Sequence, residues 1–160
     1  MAIIYHPRLT MSNVRLTKEF RFESAHALTG YDGKCRHIHG HSYLLRVTIL
    51  GTPQHQSGSP KDGMILDFGA LKELVNKVII DPFDHTLLLQ SGAALTSELQ
   101  ELYQNVLILP FQPTCELLCL HFASLLKDSI PSSAKLFNIR LYESLGSFAE
   151  WFASDNLETP

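Results

Sequence analysis

The sequence has little that would tie it to a membrane, a nucleic acid or an oxidising compartment. No apolar run approaches the roughly 18 residues that a membrane-crossing helix needs. Thirteen basic against sixteen acidic side chains leave a formal net charge of -3, so no positive field draws a phosphate backbone and nucleic acid is not an expected partner. The opening "MAIIYHPRLTMSNV" lacks the basic region and long apolar stretch of a secretory signal. Cysteine is scarce and odd in number. Cys35, Cys115 and Cys119 do not make a disulfide framework, which points to a reducing, cytoplasmic setting. Internal repeats and long linkers are missing too, and 160 residues with 45% hydrophobic content suit one domain with its own core. The expected division is an N-terminal arm over 1–13 and a single domain over 14–160.

What is present is patterned. Residues 16–24 and 41–50 alternate as strands, with Leu16, Phe20 and Phe22 on one face of the first and Tyr43, Leu45, Val47 and Ile49 on one face of the second. They read as a hairpin. The Gly-, Pro- and Ser-rich "GTPQHQSGSPKDG" at 51–63 reads as a surface loop. Asp67 can cap a helix whose Leu71, Leu74, Val75, Val78 and Ile79 recur at helical spacing, with Pro82 just past its end. A shorter helix is expected from Thr96, a short strand at 106–110 and a second long helix from Pro113. Phe137, Ile139 and Leu141 alternate in a third main strand, and "SFAEWFA" returns as a fourth. The order predicts an α+β domain, a four-stranded antiparallel sheet with two main helices on one face.

The densest chemistry lies in "KCRHIHGHSY" at 34–43. His26 shares strand parity with Phe20, Phe22 and Ser24, while His39 and His41 share parity with Tyr43, Leu45 and Val47, so all three imidazoles should face the apolar side. A connection centred near Gly33 sets position 26 opposite 41, with 39 a diagonal neighbour and Gly40 leaving room beside them. Three neutral imidazoles with a fourth position open make a catalytic zinc arrangement. Cys35 divides two metal readings: as a ligand it closes a structural site, and as a free thiol it is an acid or base beside an open one. Spacing leaves both open. His37, out of phase, reads as a solvated loop residue. Glu143 falls in phase with Phe137, Ile139 and Leu141, which puts a carboxylate at the end of an apolar face. Thr114 and Glu116 read as a helix N-cap and a first-turn acid. Asp84 and His85 follow a helix end, and neighbouring side chains commonly diverge, so their adjacency does not require a hydrogen bond between them. Cys115 and Cys119, one helical turn apart, read as small buried apolar residues.

The motifs "FESAH", "CRHIHGHSY", "GMILDFGALK", "DHTLL", "PTCE" and "LYES" stand in the order and rough spacing of the 6-carboxy-tetrahydropterin synthases, bacterial relatives of the 6-pyruvoyl tetrahydropterin synthases. From about Leu16 to Phe152 the chain resembles that family, and the short spacing from Cys35 to the His-Gly-His favours the carboxy type. The resemblance implies a tunnelling fold (T-fold), with trimers closing a barrel and stacking into a homohexamer. It implies zinc as cofactor and conversion of the small-molecule substrate 7,8-dihydroneopterin triphosphate to 6-carboxy-tetrahydropterin, acetaldehyde and triphosphate, on the route to queuosine and other deazapurines. By the same likeness His26, His39 and His41 match the zinc ligands, and Cys35 with Asp84 and His85 match the proton-transfer residues. Glu143 and the segment from Thr114 to Glu116 match the pterin anchor. The chain departs from the family pattern at Ala27, Cys115 and Leu117, which bears on phosphate and pterin contacts rather than on zinc. The rival readings are a structural-zinc binding module and, with fold and zinc kept, a pyruvoyl-forming synthase or a side-chain-cleaving aldolase or epimerase.

Overall fold

The computed structural model describes residues 10–93 and 96–156; most of the expected arm, residues 1–9, lies outside them. Strands β1 (Val14–His26) and β2 (His39–Gly51) pair antiparallel along their whole length, from Val14 opposite Gly51 to His26 opposite His39. The alternation of Phe20, Phe22, Ser24 and His26 with charged neighbours explains the pairing, because one face of the ribbon can be buried while the other stays polar. Position 26 thus lies opposite 39, with 41 diagonal to it. The expected pairing of 26 with 41 is displaced by two residues, because the connection folds through a short 3₁₀ turn at Lys34–Arg36 closed by the Leu28 N–H on the Cys35 carbonyl at 3.0 Å.

After the 51–63 loop, α1 (Phe68–Val75) continues without a break through a π-helical turn (Asn76–Ile80) into α2 (Asp81–Phe83). Pro82 therefore lies inside the helical path rather than past its end. The wider turn accounts for this: the Asp81 N–H reaches back to the Asn76 carbonyl, which loosens the coil where the proline ring would meet the preceding turn. Then follow β3 (Thr86–Gln90), α3 (Thr96–Leu102), β4 (Val106–Leu109), α4 (Cys115–Lys127), β5 (Lys135–Tyr142) and β6 (Phe148–Phe152).

The sheet runs in the order β4-β3-β1-β2-β5-β6. Four strands, β1, β2, β5 and β6, form the expected antiparallel set, but β3 and β4 add a parallel flank and raise the sheet to six strands. "TLLLQ" escapes sequence reading because it is short and lacks strict alternation: Leu88 and Leu89 are both buried. The α+β class holds. Leu71, Val75 and Ile79 of the first helical run and Leu118, Phe122 and Leu126 of α4 are fully buried in one core with Phe22, Leu45, Val47, Ile139 and Leu141. Among the described residues no helix is long and apolar enough to cross a membrane.

Asp67 closes the N-terminus of α1, its Oδ1 accepting from the N–H of Gly69 at 2.7 Å and of Ala70 at 3.2 Å. Asp67→Ala is therefore expected to lower the unfolding free energy by about 1 kcal/mol, read from urea denaturation, without loss of native secondary structure.

Candidate metal centre

The strand pairing sets three imidazoles at the end of the apolar face. His26 Nε2 lies 3.1 Å from His39 Nε2 and 3.2 Å from His41 Nε2. Nitrogens bound tetrahedrally at about 2.1 Å from one ion stand about 3.4 Å apart, so these two separations are within a few tenths of an ångström of metal-ligand spacing, and all three donor atoms lie within 4.8 Å of one another. Two of the rings are oriented from behind. His26 Nδ1 donates to the Pro113 carbonyl at 2.6 Å and His39 Nδ1 to the His37 carbonyl at 2.8 Å, which commits the proton to Nδ1 and turns the Nε2 lone pair inward. Burial lowers the pKa of His26, and the neighbouring His39 and His41 lower it further against opposing effects of Pro113 and Glu143. Burial likewise lowers His41, with Glu143 acting the other way. Both favour the neutral imidazole that binds a cation. Among the described residues, His26, His39 and His41 are the group whose donor atoms converge closely enough to hold a metal ion.

Gly40 stands between two of these histidines but faces the opposite side of the sheet. A Cβ there would meet the Ser24 carbonyl at 3.4 Å and the Ala25 Cβ at 3.9 Å, ordinary contacts, so room for the imidazoles does not explain this glycine.

Glu143 stands one residue past the end of β5, on the imidazole side as its phase requires. Its Oε1 lies 3.5 Å from His26 Nε2 and 3.4 Å from His41 Nε2, and the carboxyl side chain is 27% exposed. The site thus combines a triangle of lone pairs with a partly open carboxylate. Thr114 caps α4, accepting from the Leu117 N–H at 3.3 Å, and Glu116 is an exposed first-turn acid, so both have the local roles their sequence suggests. Their segment still touches the centre, because Pro113, just before the cap, supplies the carbonyl that orients His26.

Cys35 sits half-buried on the 3₁₀ turn and is not part of the converging group. Asp84 and His85 lie elsewhere. Asp84 Oδ1 accepts the Glu23 N–H at 2.8 Å, and the His85 N–H donates to the Glu23 carbonyl. Contrary to the divergence usual for adjacent side chains, His85 Nδ1 comes within 3.0 Å of Asp84 Oδ1. The reason is the left-handed backbone of His85, φ 55°, which folds the chain sharply from α2 into β3. The hydrogen bond from Glu23, and then those with His85, hold the Asp84 carboxyl below its usual pKa. The His85 ring is 75% exposed and lines a groove of about 910 Å³ with Glu23, Ala25, Gly40 and Ser42. Glu23, Ala25 and Ser42 alternate with the imidazole-bearing positions, and Ser24 and His41 line the same groove.

Sequence reading missed Gln112. Its side-chain oxygen accepts the Thr29 N–H and its amide donates to the Thr29 carbonyl, both at 2.8 Å, clamping the hairpin connection to the entry of α4. No motif signals this, since the partner is backbone 83 residues away.

Residues 15–153 match the 6-pyruvoyl tetrahydropterin synthase family. Over 141 residues the chain is 37% identical to the 6-carboxy-5,6,7,8-tetrahydropterin synthase of Haemophilus influenzae, covering 86% of this chain and 97% of that relative. It is 31% identical to the protein of the same name in Rickettsia bellii, covering 86% and 99%. Among solved structures, the 6-pyruvoyl tetrahydropterin synthase of Caenorhabditis elegans superposes with a TM-score of 0.65 at 22% identity, covering 90% of this chain and 98% of the other. That of Plasmodium falciparum gives 0.65 at 21%, covering 88% and 97%. The shared architecture is the T-fold.

If the three imidazoles alone hold the ion, His39→Ala should weaken metal binding by at least about tenfold, whereas Cys35→Ala should leave it intact. Metal content per chain after dialysis against a weak chelator reads this directly. Equal loss from both variants would mean a closed four-ligand site.

Proposed function

The chain belongs to the 6-pyruvoyl tetrahydropterin synthase family, a family of enzymes, and we propose that it is a zinc-dependent 6-carboxy-5,6,7,8-tetrahydropterin synthase. In this reading it converts 7,8-dihydroneopterin triphosphate, with water, to 6-carboxy-tetrahydropterin, acetaldehyde and triphosphate, in the cytoplasm, on the route to queuosine and related deazapurines. The observation that carries it is the convergence of three Nε2 atoms beside the Glu143 carboxylate. The names of the Haemophilus influenzae and Rickettsia bellii relatives support the carboxy product.

The donor set fits zinc: three neutral imidazoles, two of them with Nδ1 tied to a backbone carbonyl, and no carboxylate or thiolate inside the group. His26, His39 and His41 would hold it, and zinc when bound supplies the Lewis acidity that lowers the pKa of the substrate's side-chain hydroxyls. The remaining tasks belong to the chain. Glu143, at the rim of the cluster, accepts the N–H groups of the guanidine-like pterin edge through charge-assisted hydrogen bonds. Thr114 and Glu116 border the pterin through the loop whose Pro113 carbonyl orients His26. Cys35 moves a proton at the side-chain carbons, and the Asp84 and His85 pair completes the transfer, Asp84 orienting the ring. The pair is tied to Glu23, which alternates with the imidazole-bearing positions, and in this reading it acts on the imidazole centre of a neighbouring copy. That requirement, together with the open sheet edges at β4 and β6, supports a homo-oligomer, a hexamer of two stacked trimers.

Incubation of the zinc-loaded protein with 7,8-dihydroneopterin triphosphate should release acetaldehyde and 6-carboxy-tetrahydropterin, followed by mass spectrometry. A 6-pyruvoyl product would overturn the assignment. Cys35→Ala is expected to keep pterin affinity while single-turnover rates fall by about a hundredfold or more. Glu143→Gln should instead weaken pterin binding by about tenfold. Sedimentation at assay concentration should find the activity in a multimer, and a fully active monomer would sink the completion of the site between copies.

A further inference from the structure

The connection between β1 and β2 carries Cys35 but has no strand ladder of its own, since β1 ends at His26 and β2 begins at His39. Its own hydrogen bonds fold it into a small unit. The Leu28 carbonyl accepts the Tyr31 N–H at 3.3 Å across Thr29 and Gly30, and the Gly30 φ of 74° suits the second central position of a type II turn. The Leu28 N–H donates to the Cys35 carbonyl at 3.0 Å, while the Arg36 and His37 N–H groups reach the Gly33 and Lys34 carbonyls at 3.3 and 3.1 Å and close the 3₁₀ turn that bears Cys35. These bonds shape the unit without fixing it against the rest of the molecule.

The fixing contact comes from Gln112. Among the described residues, its side chain is the one that joins the connection by hydrogen bonds to a segment outside the hairpin. The amide meets both polar groups of a single residue, accepting the Thr29 N–H and donating to the Thr29 carbonyl, each at 2.8 Å, as a paired strand would. Two bonds to one residue restrict tilt as well as distance. Gln112 is itself anchored, because the Thr114 N–H at the cap of α4 donates to its carbonyl at 2.8 Å and the preceding Phe111 packs against the core. Thr29 lies on the surface and Gln112 is half-buried, so water can replace either bond and the pair contributes little to overall stability. What water cannot reproduce is the placement. From Gln112 the constraint passes through Thr29 to Leu28, whose N–H holds the Cys35 carbonyl.

We propose that Gln112 is a positioning residue for Cys35: it holds the hairpin connection in one attitude against the entry of α4, so that the thiol meets the substrate in a single placement. Proton transfer needs donor and acceptor within hydrogen-bond reach at the moment of reaction, and about an ångström of drift is enough to slow it greatly. This rests on the reading in which Cys35 moves a proton at the substrate's side-chain carbons.

The test is Gln112→Met, which keeps the length and bulk of the side chain and removes both hydrogen bonds. Metal content should be unchanged and the neopterin dissociation constant of the zinc-loaded protein, from calorimetry, should stay within about twofold, while the single-turnover rate on 7,8-dihydroneopterin triphosphate falls about tenfold. In a Cys35→Ala background the same change should lower the rate by less than about twofold, because the thiol through which it acts is gone. Alkylation of Cys35 by iodoacetamide in the metal-free protein, followed by peptide mass spectrometry, should speed up by about threefold or more, with Cys115 unchanged as the internal reference. A parent-like single-turnover rate, lost metal, neopterin binding weakened as much as the rate, unchanged alkylation of Cys35, or full additivity with Cys35→Ala would each overturn the role. If the parent does not turn over this substrate, or Cys35→Ala matches it, the proton-transfer reading of Cys35 falls and takes this role with it. A slow Cys35→Ala beside a parent-like Gln112→Met sinks the role of Gln112 alone.

Discussion

The register of the β1 and β2 pair is the constraint on which the rest of the molecule depends. Each strand is 13 residues long, and the same pairing that buries Phe20, Phe22, Tyr43 and Leu45 carries His26, His39 and His41 to one end of the apolar face. A slip of one residue would send His39 and His41 to the polar face and expose the aromatic residues with them. The energy that sets the register is therefore hydrophobic burial along the strands, and the imidazole cluster inherits its geometry from that burial. The centre is precise because the core beside it is.

Such a position is demanding. His26 is 1% exposed, and burying an imidazole among apolar side chains is unfavourable unless its nitrogens are satisfied. The chain answers with backbone rather than with further polar side chains: the Pro113 carbonyl for His26 and the His37 carbonyl for His39. The first of these ties the hairpin to the entry of α4, and the Gln112 clamp on Thr29 ties the same two segments a few residues away. Imidazole cluster, hairpin connection and helix entry thus form one mechanical unit. Glu143 approaches it from a separate segment, past β5.

The Asp84 and His85 pair has a different logic. It is fixed to β1 through the backbone of Glu23 and shaped by the left-handed conformation of His85, so its position is as well defined as that of the imidazoles. Its β1 partner Glu23 alternates with the imidazole-bearing positions.

How much of this could be read from the chain follows from the range of the interactions involved. Strand alternation and helical spacing are local, so the main strands, the α+β class, the Asp67 and Thr114 caps and the common face of the three histidines were legible. The expected register was displaced by two residues, and because strand side chains alternate with a period of two, the imidazoles stayed on one face and still converged. Motif order carried the family, since six short elements in sequence are specific where each alone is weak. The rest was decided in three dimensions. β4 was expected as a short strand at 106–110, but its parallel pairing with β3, and β3 itself, a short apolar piece whose strand state depends on its parallel neighbours, were not. The contact of Asp84 with His85 depends on a single φ angle, and the orientation of His26 on the carbonyl of a proline 87 residues away. Carbonyls carry no side-chain identity, so the sequence by itself determined which groups are candidates for the chemistry, and only the tertiary structure decided how they are aimed.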